Sequence, residues 1–176
     1  RTVRAERAEF MTQEGQAVLT GSPQIEVAGA FLSGATVRSQ SGEIVIEGST
    51  AEGRAQMILT ETGGLGLQGM SALSEETIVL AEVITMRETK TGNEFLFESA
   101  VEVMSGAVQL QAEKMTILAD QPEDNKDATA PEKRLSQAGD GVKNGDLKVG
   151  EVRQLIAEGG VRIEQTGQVA TGEKVV

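Results

Sequence analysis

The chain has no cysteine, no histidine, no tryptophan and no tyrosine. Without cysteine, disulfides and Cys-ligated metals are excluded. Without histidine the commonest general base and a usual zinc ligand are missing as well. Only four phenylalanines are present, so a core must rest on Val, Ile, Leu, Met and Ala. Basic residues are few: 16 Lys and Arg stand against 27 Asp and Glu, a net charge of −11. That balance argues against nucleic-acid phosphate as a partner and against a polybasic membrane anchor. No apolar run approaches the ~18 residues that span a bilayer as a helix. Proline is scarce too, at three, whereas glycine is plentiful at 21, which favours many turns over long helices. The 176 residues suffice for one ordinary domain or two small ones. The chain begins at Arg1, so we expect a processed or trimmed N-terminus with any signal peptide removed from view.

Period-two alternation dominates what remains. Residues 95–118, FLFESAVEVMSGAVQLQAEKMTIL, place Phe95, Phe97, Val101 and Val103 on one parity. One face of a strand is then apolar and the other polar. Ser105-Gly106 reads as a tight turn, after which Val108, Leu110 and Ala112 resume the apolar face. A further shift at Glu113-Lys114, before Met115 and Ile117, predicts a bulge.

Similar strands precede this unit. The first runs to Phe10 with a shift near Arg7, although its Ala, Glu and Arg content would also allow a short helix, and the next is ended by Gly21-Ser22-Pro23. Ile25 and Val27 resume the alternation, Ala28-Gly29 turns the chain, and residues 31–37 return. Ile44 with Ile46, then Ala55, Met57 and Leu59, give two more strands. Ile78, Leu80, Ile84 and Met86 share one parity, as one longer strand or a strand pair. Residues 147–149 are a further strand, and 169–176 the last. With no gap and an offset of 60, residues 155–176 fall on 95–116 with the same layout of strand, turn and return strand.

Three motifs invite chemistry. Gly64-Leu65-Gly66-Leu67-Gln68-Gly69 matches G-x-G-x-x-G, but its flanks are β-patterned and no crossover helix follows, so it reads as a glycine-rich junction within residues 63–76. Residues 140–146, DGVKNGD, resemble a calcium loop, yet Val142 fills a position that needs an oxygen ligand. They read as part of a polar loop, 120–146, which holds all five aspartates and is expected to be exposed and mobile over 123–139. The glutamates alternate with apolar residues, as in Val101-Glu102-Val103, the pattern of a solvated sheet face. Nothing supplies nucleophile, base and orienter together, so no enzyme, no metal site and no cofactor is expected.

Many short strands at regular spacing imply an all-β sandwich, jelly roll or solenoid. Three stretches resemble the OstA/LptA family of periplasmic lipopolysaccharide-transport proteins. They are VRAERAEFMTQEGQAVLTGSPQIEV (3–27), FLFESAVEVMSGAVQLQAEKMTIL (95–118) and LIAEGGVRIEQTGQVATGEKVV (155–176). The resemblance lies in their order and spacing; it fades in 53–76 and in the polar loop.

The resemblance implies one all-β domain over 1–176, an OstA-like β-jelly roll of short antiparallel strands, open at both ends. Its two β halves would be about 1–62 and 77–176. It implies a periplasmic protein without catalytic residues that carries the acyl chains of lipopolysaccharide between its sheets and bridges inner and outer membranes. The groove candidates are Ile25, Val27, Ile44, Ile46, Phe95, Phe97, Val101, Val103, Val108 and Leu110. Partners would be transport proteins of the same fold, such as LptC and the N-terminal domain of LptD. Further copies would join head to tail through the terminal strands, 2–10 and 169–176. The alternative is a structural β-scaffold or interaction module without lipid cargo. An apolar cleft opening between the sheets would separate the two.

Overall fold

A computed structural model describes residues 2–13, 15–27, 30–51, 53–59, 76–120 and 152–176, with Val27 described in its backbone alone. Fourteen strands run through these residues, all paired antiparallel in one sheet. They are β1 (Thr2–Arg4), β2 (Arg7–Met11), β3 (Gln16–Thr20), β4 (Gln24–Val27), β5 (Ala30–Ser33), β6 (Thr36–Gln40) and β7 (Glu43–Glu47). There follow β8 (Ala55–Leu59), β9 (Thr77–Ala81), β10 (Val83–Thr89), β11 (Gly92–Ser105), β12 (Val108–Asp120), β13 (Val152–Gln165) and β14 (Gln168–Val175).

The sheet is folded along a crease that every pass of the chain crosses. The first half of β11 pairs with β10 and its second half with β9. One wall therefore runs β2-β3-β6-β7-β10-β11 and the other β1-β4-β5-β8-β9-β11. The long strands β12, β13 and β14 extend both walls. Each pass is one bent rung: β1 with β2, β3 with β4, β5 with β6, β7 with β8, β9 with β10, then β11 to β14 singly. Nine rungs at ~4.8 Å spacing make a trough about 38 Å long. The curled antiparallel sheet is the expected β-jelly roll.

The sequence dictates where the rungs bend. Five alternate rungs carry the same local pattern: an apolar or small residue, any residue, Ala or Gly, then Glu or Ala, any residue, and an apolar or small residue. It occurs as VRAERA from Val3, LSGATV from Leu32, VLAEVI from Val79, LQAEKM from Leu110 and ATGEKV from Ala170. The fourth position (Glu6, Ala35, Glu82, Glu113, Glu173) is one residue too many for simple alternation, so the inward face is resumed on the opposite parity. The small third residue suits the close approach of the walls at the fold line. A Cβ added to Gly34 would lie 2.7 Å from the Glu47 carbonyl oxygen and from a methyl of Ile46. Intervening rungs bend through left-handed residues instead, at Gly21-Ser22, Ser99-Ala100 and Gly159-Gly160. Single backbone hydrogen bonds link neighbouring bends: Glu6 N donates to Gly21 O, Ala35 N to Glu47 O, Gly48 N to Glu82 O and Glu82 N to Ser99 O.

The 60-residue offset is structural. β11 and β13 both have 14 residues, and their registers shift at Glu98/Val101 and Glu158/Val161. The bulge expected near Glu113 is there, between Gln111 and Lys114. Ile78, Leu80, Ile84 and Met86 belong to a pair of strands, β9 and β10, and despite their common parity they do not share a face. Val79 and Ala81 point inward on β9, whereas Ile84 and Met86 do so on β10, because Glu82 occupies the bend between them. Residues 31–37 likewise form parts of two strands, divided at Gly34-Ala35. The glycine-rich junction with its G-x-G-x-x-G, the polar loop with its calcium-like segment, the short strand at 147–149 and the turn at Ala28-Gly29 lie outside the described residues, apart from Glu76 and Asp120 at their borders.

Candidate functional site

Cross-strand pairing makes the inward residues into ladders that run the length of the trough. On the first wall, Ala8, Leu19, Val37, Ile46, Ile84, Phe97, Met115, Ala157 and Val175 are successive register partners. On the second, Val3, Ile25, Leu32, Met57, Val79, Val103, Leu110, Ile163 and Ala170 are. Every rung thus contributes an uncharged, apolar or small side chain to each wall.

Eight of the ten groove candidates belong to a single buried cluster: Ile25, Ile44, Ile46, Phe95, Phe97, Val101, Val103 and Leu110. Val108 is buried but lies outside that cluster, at the start of β12. Val27 ends β4 as the register partner of Ala30. The cluster also holds residues that sequence reasoning did not single out for the groove, among them Met57, Val79, Met86, Met115, Ile117 and Leu155. Their signal was present: Met57 in the Ala55, Met57, Leu59 alternation, and Met115 with Ile117 beyond the bulge.

Among the described residues the middle of the interior is closed by side chains. Phe97, Ile46, Met57, Val79 and Met115 have no exposed surface. The buried polar residues are two threonines among those described, and Thr77 shares a 2.9 Å hydrogen bond with the Ser105 hydroxyl. A cavity of about 360 Å³ lies against Gln16, Arg38 and Glu43, and one of about 770 Å³ against Thr36, Gly48, Arg54 and Glu82; ladder residues line neither. Cover is lost toward the ends of the trough. Val3 is 46% and Phe10 72% exposed on the N-terminal rung, and every residue of β14 from Gln168 to Lys174 is exposed.

Among the described residues charge is confined to the outside. Arg87 bonds Glu43 at 2.7 Å, Arg38 meets Glu47 at 2.8 Å, and Lys114 stands 3.6 Å from Glu98. The bond to Glu43 and its charge hold the Arg87 guanidinium above its usual pKa. A bond from Lys174 and its charge hold the Glu158 carboxyl below the usual carboxylate range, with Lys114 adding to the effect. Such exposed pairs add little stability. Among the described residues no group of three acidic side chains could hold a metal ion.

This architecture, a creased antiparallel sheet lined with apolar ladders, defines an LptA-like β-jelly roll. A solved structure with the same fold is LptH, the LptA homologous periplasmic component of the conserved lipopolysaccharide transport device from Pseudomonas aeruginosa. The two superpose with a TM-score of 0.52 and 17% sequence identity, over 78% of this chain and 94% of that one. No family model and no curated protein sequence matches the chain.

Proposed function

We propose that this chain is a periplasmic lipopolysaccharide-binding transport protein, a single domain that carries or bridges lipopolysaccharide from the inner to the outer membrane. The observation that carries the reading is the pair of apolar ladders spanning all nine rungs and ending at exposed edges. An acyl chain laid along them would gain ~0.8 kcal/mol per buried methylene. The headgroup, with its charge, would remain outside the trough. The LptH component of a transport device has the same fold, and we extend that role and compartment to this chain.

Among the described residues no strand pairs with the outer edges of the outermost rungs, β1 with β2 at one end and β14 at the other, which leaves N–H and C=O groups there for a partner. Head-to-tail pairing of copies, or of other transport proteins with this fold, through those rungs would join successive interiors into one path. A second reading, a β-scaffold without cargo, is favoured by one observation: the interior is already packed, so lipid must displace side-chain contacts as it enters.

Photo-crosslinking separates the two. A photo-reactive residue replacing Val103, on the inner face, is expected to capture lipopolysaccharide. One replacing Glu102, on the outer face, is not. Equal capture from both positions, or none from either, contradicts the transport reading.

A further inference from the structure

The bends of the sixth and eighth rungs occupy corresponding places but are built differently. At the eighth the two left-handed residues are Gly159 and Gly160, for which that conformation is undemanding. At the sixth they are Ser99 and Ala100, with φ of 65° and 51°. Consecutive non-glycine residues in this region are unfavourable and persist only where the surroundings hold them. Arg54 does so. It follows the connection between β7 and β8, and its guanidinium reaches past the bend at Glu82 on the neighbouring rung. One nitrogen donates to the Ala100 carbonyl at 2.8 Å, and another to the Glu102 carboxylate at 2.7 Å. The register of β11 shifts at this bend, so Arg54 supplies the Ala100 carbonyl with a side-chain donor.

We propose that Arg54 is a latch that fixes the angle between the two walls at the middle of the trough. With the latch closed, β11 is held bent and the interior stays packed. With it released, Ser99 and Ala100 can leave the left-handed region, β11 flattens, and the walls part without breaking the ladders within either. The latch tethers the fourth rung to the bend and second-wall half of the sixth, along the crease and past the fifth, in the molecule's central span. The inference rests on the transport reading only for its purpose, which is to let an amphipathic lipid into an interior that is otherwise full.

Because the chain has no native cysteine, spin labels can be placed cleanly. Thr91→Cys with Ala107→Cys puts labels in exposed turns at the two ends of β11, one on each wall. Arms of about 20 Å lengthen the span by roughly 3 Å for every ten degrees of opening. Glu9→Cys with Thr116→Cys puts both labels on the first wall, six rungs and about 29 Å apart, as a control. Measured without lipid, Arg54→Ala is expected to lengthen and broaden the cross-wall distance and to leave the control unchanged. Arg54→Lys keeps a charge for Glu102 but loses the fork that also serves Ala100. It is expected to give a smaller change of the same sign, and it carries the test if Arg54→Ala does not fold. An unchanged cross-wall distance, or equal broadening of both pairs, overturns the latch. Failure of added lipopolysaccharide to widen the walls of the variant, with the latch effect present, would count against the transport reading instead.

Discussion

Phe97 and Phe10 both project from the inner side of the first wall, yet they belong to different environments. Phe97 stands between Ile84 and Met115 with no exposed surface, whereas Phe10 is 72% exposed on the first rung. Truncating a fully buried phenylalanine removes its transfer energy and leaves a cavity, so Phe97→Ala should destabilise the fold by about 3–5 kcal/mol. Phe10→Ala should cost less than about 0.5 kcal/mol in the isolated molecule. Urea unfolding of the two variants checks both values, and similar losses would mean that the first rung is covered. Both residues sit on an apolar alternation in the sequence, so the pattern gave their face. It did not give their depth, which depends on how many rungs lie beyond them.

At the scale of the element, the last pairing is the informative one. Among the described residues β14 pairs with β13 alone, and Lys174 bonds Glu158 across that pair at 2.8 Å. The carboxyl of Glu158 has a lower pKa in the fold than in the unfolded chain, so the pair contributes stability above the ordinary carboxylate range. That contribution is lost as the pH falls through the depressed value. Acidification below the ordinary range should therefore remove this small contribution at the β13–β14 pairing, and high salt should weaken the pair too. Carboxyl NMR titration gives the check: Lys174→Ala should move the Glu158 midpoint upward, and an unmoved midpoint would refute the coupling. Strand assignment was legible here because Gly and Ser pairs punctuate a clean alternation. The crease was only half legible. At Glu113 the parity change is visible between Ala112 and Met115. At Glu82, Ile78 and Leu80 continue the numerical parity of Ile84 and Met86, and the outward pair mimics the inward one. At Ser99-Ala100 two extra residues restore the parity, so that bend leaves no trace in the pattern.

At the scale of the molecule, nine bent rungs convert short alternating segments into two apolar walls that share one crease. Length and hydropathy do not dictate that arrangement; it follows from one small residue and one extra residue recurring at the middle of alternate rungs. The central claim is that lipid chains lie between those walls, and the methionines report on it directly. Met57, Met86 and Met115 are buried inside, while Met104 projects from the outer side of β11. With methyl-labelled methionine, titration with lipopolysaccharide and observation of NOEs from acyl-chain protons tests which side the lipid occupies. The account predicts contacts to Met57, Met86 and Met115 and none to Met104. Contacts confined to Met104, or three inner methyls unmoved at saturating lipid, would contradict it.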